Sequence, residues 1–148
     1  MKRFLYIIAI ACIIFTACDF ETSNNGDLDG FWQLSQVDTL STGNSTDMRH
    51  SDIYWSVQVN ILEIRIGLDR IMYRFENSGG KLRIWDPIAN DRQITDSIVT
   101  DNSLMLKSGV TATPGTGGVL ESTFNIETLN SDRMVLRNET YRLHLRKY

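Results

Sequence analysis

Residues 53–75 read IYWSVQVNILEIRIGLDRIMYRF. Ile53, Trp55, Val57 and Val59 alternate with Tyr54, Ser56, Gln58 and Asn60, and Ile71, Tyr73 and Phe75 alternate with Met72, Arg74 and Glu76. A period of two marks strands with one buried and one wet face. Between them, Ile61, Ile64, Leu68, Ile71 and Phe75 also fit helical spacing. Gly67 would cost a helix there about 1 kcal/mol, and the isoleucine content favours strand. The reading is a strand to Ile66, a turn over 67–69, and a second strand from Arg70.

The same pattern extends in both directions. Tyr141, Leu143 and Leu145 alternate with Arg142, His144 and Arg146. Shorter strands are predicted over 30–37, 81–85, 92–99, 103–107, 119–129 and 133–138. Asn77-Ser78-Gly79-Gly80 supplies residues that tolerate positive φ between two strands. Asp86-Pro87 is expected to end the strand that holds Trp85. Asp101-Asn102, Asn130-Ser131-Asp132 and Asn138-Glu139 mark further turns. Many short strands joined by tight hairpins predict an all-β antiparallel sandwich or barrel of about eight strands. Residues 39–51 and 109–118 read as long loops, a length that in a compact domain usually carries function or disorder.

The composition fits a single domain with something attached. The chain has 148 residues, 42% hydrophobic and 22% charged, which argues against wholesale disorder. A net charge of -3 gives no general attraction to nucleic acid.

The attachment is at the N-terminus. Lys2 and Arg3 precede Phe4–Ala17, a run without charge. Such a run matches the apolar region of a secretory signal and falls short of the roughly 20 residues that span a bilayer. Thr16-Ala17-Cys18 follows directly and resembles the lipobox of bacterial lipoproteins, with Phe15 where leucine is commonest in that family. The resemblance implies cleavage before Cys18, acylation of that cysteine, and anchoring in the bilayer of a bacterial envelope, most simply the outer membrane. Several acyl chains on one residue give durable attachment where one does not. Cleavage without lipidation and an apolar core helix are the alternatives. Cys12 would leave with the signal, so the mature domain would hold neither disulfide nor thiolate ligand. Residues 19–27, DFETSNNGD, read as a tether. The chain thus divides into residues 1–17 as signal, 18–27 as lipidated cysteine and tether, and 28–148 as the domain.

Gly30-Phe31-Trp32 opens the first strand of that domain. A Gly-x-Trp at the first strand of a small antiparallel barrel resembles the lipocalin motif. The resemblance implies an up-and-down, calycin-like barrel, closed or partly open. Trp32 would close one end, with an Arg of the last strand, Arg142 or Arg146, packed over it. It also implies a ligand cavity with a first loop over its mouth, and residues 39–51 match that loop in position. Trp55, Tyr73 and Trp85 would be its large lining aromatics, although plain core packing ranks above ligand contact for each of them. An eight-stranded barrel holds one small ligand or is filled by its own side chains.

Catalytic and metal signatures do not stand out. His50 and His144 have no partner at ligand spacing, no nucleophile elbow or phosphate loop occurs, and no carboxylate pair is singled out. No metal, cofactor or nucleic acid is implied. Asp38-Thr39-Leu40 and Asp96-Ser97-Ile98 resemble a bacterial O-glycosylation acceptor, the first the better placed because it begins a polar stretch. Two functional classes remain: a non-catalytic binder of a small apolar or amphipathic molecule, and an accessory lipoprotein with a filled barrel that binds other envelope proteins or a protease. An enzyme ranks third.

Overall fold

The computed structural model describes residues 23–90, 96–98, 113–114 and 120–148. The expected strand over 103–107, most of the one over 92–99, and Cys18 lie outside these residues. Ser23 to Asp29 lead in through a single 3-10 turn (Gly26–Leu28). The strands are β1 (Gly30–Thr39), β2 (Asn44–Asp47), β3 (Ile53–Gln58), β4 (Ile61–Ile66), β5 (Asp69–Ser78), β6 (Lys81–Asn90), β7 (Asp96–Ile98), β8 (Thr113–Pro114), β9 (Leu120–Leu129), β10 (Arg133–Arg137) and β11 (Tyr141–Lys147).

Eight of them close an antiparallel up-and-down barrel, β1-β3-β4-β5-β6-β9-β10-β11, with β11 returning to β1. The turns explain why the meander is tight. Ser78 pairs with Lys81 across Gly79-Gly80, both at positive φ, as a two-residue hairpin that follows the strand twist requires. Ile66 pairs with Asp69 across Gly67-Leu68, so the ambiguous stretch is two strands. Asn130 and Asn138 accept backbone N–H bonds through Oδ1 at the β9–β10 and β10–β11 turns.

Two expectations are corrected. Asp86-Pro87 does not end a strand. β6 runs on to Asn90 through a bulge, the pairing shifting from Arg74↔Trp85 to Met72↔Ile88. Asp86 has φ 52 and Pro87 is buried. A bulge leaves a residue out of the ladder, which is where a proline without an N–H fits. The stretch 39–51 is not one polar loop either. β1 extends to Thr39, and β2 returns along it from Thr39↔Asn44 to Gln36↔Asp47, all four β2 residues exposed. Thr39 of the Asp38-Thr39-Leu40 acceptor is therefore a paired strand residue.

The ladder forks at two places on one end of the barrel. β1 pairs with β3 from Gly30 to Gln33 and with β2 from Gln36 to Thr39. β6 pairs with β9 from Lys81 to Trp85, then with β7 from Ile88 to Asn90, while β9 takes β8 beside Leu120 and Glu121. At the opposite end lie the 3-10 turn, the β3–β4, β5–β6 and β9–β10 turns, and the end of β11. One apolar cluster lies inside the barrel, including Leu28, Trp32, Trp55, Leu62, Ile64, Tyr73, Ile84, Phe124, Leu136 and Leu145.

Candidate functional site

Alternation sorts the side chains. Trp32 and Leu34 of β1, Trp55 and Val57 of β3, Leu62 and Ile64 of β4, and Ile71 and Tyr73 of β5 face inward. So do Leu82 and Ile84 of β6 and Leu120, Ser122 and Phe124 of β9. At the end near the 3-10 turn the interior is sealed. Trp32 is fully buried and its Nε1 donates to the Leu28 carbonyl at 2.9 Å. Lys147 lies over the Trp32 ring, Nζ 4.8 Å from the centroid, and donates to the Asp27 carbonyl at 3.2 Å. To get there it crosses Gly30, where a Cβ would stand 2.8 Å from Lys147 Cε and where φ is +120°. That close approach and that φ are the reason for the glycine.

The cation over the tryptophan is therefore Lys147, opposite Trp32 in the ladder, and neither expected arginine. Leu143, Leu145 and Lys147 share the inward parity, whereas Arg142 and Arg146 project outward. Arg142 pairs with Glu127 at 2.7 Å and Arg146 donates to Gln33 Oε1 at 2.8 Å. Lys147 was missed in the sequence, although its parity with the two leucines was visible.

Trp55 and Tyr73 are inside, 0% and 2% exposed. Trp55 meets Phe124 across the barrel edge-to-face, centroids 5.9 Å apart. Neither Trp55 Nε1 nor the Tyr73 hydroxyl has a hydrogen-bond partner. Burial pushes the Tyr73 phenol well above its ordinary value, so the hydroxyl keeps its proton. Trp85 is not with them. Leu82 and Ile84 take the inward parity of β6, so Trp85 faces out beneath Arg83, whose guanidinium carbon is 4.8 Å from its ring centre. Trp85 instead borders an outer cleft of about 340 Å³, lined by Ile61, Met72, Arg74, Asp86 and Ile88 as well, with Tyr73 and Phe75 of β5 also among its lining residues.

This closed barrel, sealed at one end by a Gly-x-Trp strand, has known counterparts. A family model described as a lipocalin-like domain matches residues 13–148. The chain belongs to the lipocalin-like domain family. Two solved structures share the fold. One is a lipocalin-like protein from Bacteroides uniformis, 21% identical, covering 83% of this chain and 100% of its own, with a TM-score of 0.59. The other is an uncharacterized protein from Bacteroides eggerthii, 19% identical, covering 81% of this chain and 98% of its own, with a TM-score of 0.54. No curated protein matches the chain.

The outer wall of the lipocalin-like barrel carries one dense polar cluster. Asp38 accepts from Ser45 and Gln36, each at 2.7 Å, and lies 2.8 Å from His144 Nε2. The Ser45, Gln36 and His144 bonds, in that order, hold its carboxyl down at about 2. His50 lies apart, in the link between β2 and β3. Among the described residues no group of three or more His, Cys, Asp or Glu side chains is placed to hold a metal ion. What the arrangement offers is an apolar barrel suited to enclosing a small molecule.

Proposed function

We propose that this chain is an envelope-anchored lipoprotein, cleaved before Cys18 and held to the outer membrane by acyl chains on that residue. Its barrel binds a small apolar or amphipathic molecule without transforming it. The observation that carries this reading is the asymmetry of the closed barrel. Leu28, Trp32 and Lys147 seal one end, with the large inward aromatics Trp55, opposite Trp32 in the ladder, and Tyr73 on the inner wall beside them, while the other end is forked. The described chain enters at the sealed end. Five residues from Cys18 to Ser23 reach at most about 18 Å, which would set that end toward the bilayer and the forked end toward the aqueous phase. Trp55 and Tyr73 are the ligand contacts in this reading. Native mass spectrometry of the protein purified from its own cells tests it: a stoichiometric small molecule lost on unfolding is expected. Protein that is ligand-free and takes up no apolar probe would end the reading.

A second reading rests on the outer cleft. Ile61 is 47% exposed beside Met72, Trp85 and Ile88, and an apolar patch on an outer wall suits a protein partner in the envelope. Crosslinking from position 85 in whole cells distinguishes the two, since lumenal binding predicts no adduct there.

A further inference from the structure

The barrel contains two buried indoles, and it treats them differently. Trp32 Nε1 is matched by the Leu28 carbonyl, and Trp55 Nε1 by nothing. The Tyr73 hydroxyl is likewise unmatched. A buried donor without a partner is a standing cost to the fold, and a Phe in place of Tyr73 would fill nearly the same space without it. Both residues belong to the same sector of the inner wall. Trp55 stands opposite Ile64, itself opposite Ile71; Tyr73 stands opposite Leu62, itself opposite Val57. They are thus two strands and two residues apart, with β4 between them. Ser122, 4% exposed, adds a hydroxyl to the inner wall on β9. No Lys, Arg or His among the described residues is buried there.

We propose that the barrel selects an apolar molecule bearing a neutral hydrogen-bond acceptor, a carbonyl or ester, which accepts from Trp55 Nε1 and the Tyr73 hydroxyl. The inference rests on lumenal binding and adds the ligand's polar chemistry. A plain hydrocarbon would leave both donors unpaired. A carboxylate would enter an interior that offers it no buried cation, a costly burial. Tyr73 is the sharper determinant because its hydroxyl can be removed with almost no change of shape.

The test uses the full chain in nanodiscs of a zwitterionic lipid, with empty nanodiscs subtracted. Decane, 2-decanone and decanoate compete against bound N-phenyl-1-naphthylamine. The expected result is 2-decanone binding about tenfold tighter than decane, the scale of one or two well-made hydrogen bonds, with decanoate no better than the ketone. Tyr73→Phe and Trp55→Phe should each cut the ketone's advantage over decane several-fold. Tyr73→Phe should also melt no lower than the parent, since its hydroxyl has no partner to lose. Equal affinity for ketone and alkane, tighter binding of decanoate, or a Tyr73→Phe protein that is clearly less stable would each overturn the inference while lumenal binding stands. If the dye itself does not bind, lumenal binding falls and the inference with it.

Discussion

Gly30→Ala is a compact test of how the barrel end is built. An alanine Cβ would stand 2.8 Å from Lys147 Cε, too close for either atom to stay, and the backbone there has φ +120°. Holding a residue with a Cβ at such a φ costs about 1–3 kcal/mol. The lysine can swing away, but it then gives up the Trp32 face and the Asp27 carbonyl, a cation–π contact of about 0.5–2 kcal/mol. Together these give about 1.5–5 kcal/mol, which near the middle of that range lowers the melting temperature of a domain of this size by roughly 10 °C. Urea and thermal unfolding followed by far-UV circular dichroism measure it. The two contributions separate in a Lys147→Ala background. There the clash is gone and the backbone strain remains, so Gly30→Ala should still cost about 1–3 kcal/mol. A Gly30→Ala protein as stable as its parent would refute the account of the glycine. One that is destabilised only when Lys147 is present would assign the whole effect to crowding.

Trp32→Ala should cost about 3–5 kcal/mol in urea unfolding, because it empties a fully buried site and strands the Leu28 carbonyl; a melting temperature within a degree or two of the parent would contradict its role in the seal. Cys18→Ala should move the protein out of the membrane fraction and abolish labelling by a fatty-acid probe, and persistence of either would remove the proposed anchor. Asp38 titrates at about 2 in the folded protein against an ordinary 3.8. A lowered folded pKa gives stability that is complete above the ordinary value and lost as pH falls from about 4 toward 2. Asp38→Asn should accordingly flatten the acid limb of a stability–pH profile, and an unchanged limb would show that the cluster does not matter there.

Much of this was legible in alternation alone. The strands through 53–75, the Gly79-Gly80 hairpin and the barrel class followed from period two and turn chemistry, because one buried face per strand leaves a direct imprint on sequence. Parity was the information least fully used. Carried across β6 it puts Trp85 outside, and carried to the end of β11 it puts Lys147, not Arg142 or Arg146, with Leu143 and Leu145. The bulge at Asp86-Pro87 was not legible, since the dipeptide signals a break in the ladder without saying whether the strand resumes. Nor was β2, a strand whose four residues are all exposed and which therefore leaves no apolar pattern. The contrast between Trp32 and Trp55 needed coordinates, because a hydrogen-bond partner supplied by a distant carbonyl has no sequence signature.

The two forks bear on how the barrel deforms. A closed ladder is a hoop, and widening a hoop means breaking hydrogen bonds. Here the hoop is complete only across rungs such as Gln33↔Tyr54 and Trp85↔Glu121. Beyond them β1 goes with β2, β6 with β7 and β9 with β8, and among the described residues no rung joins β2 to β3 or β7 to β8. Within the described residues each branch of a fork keeps its own hydrogen bonds, so the ring closed by rungs such as Gln33↔Tyr54 and Trp85↔Glu121 need not break when a branch bends.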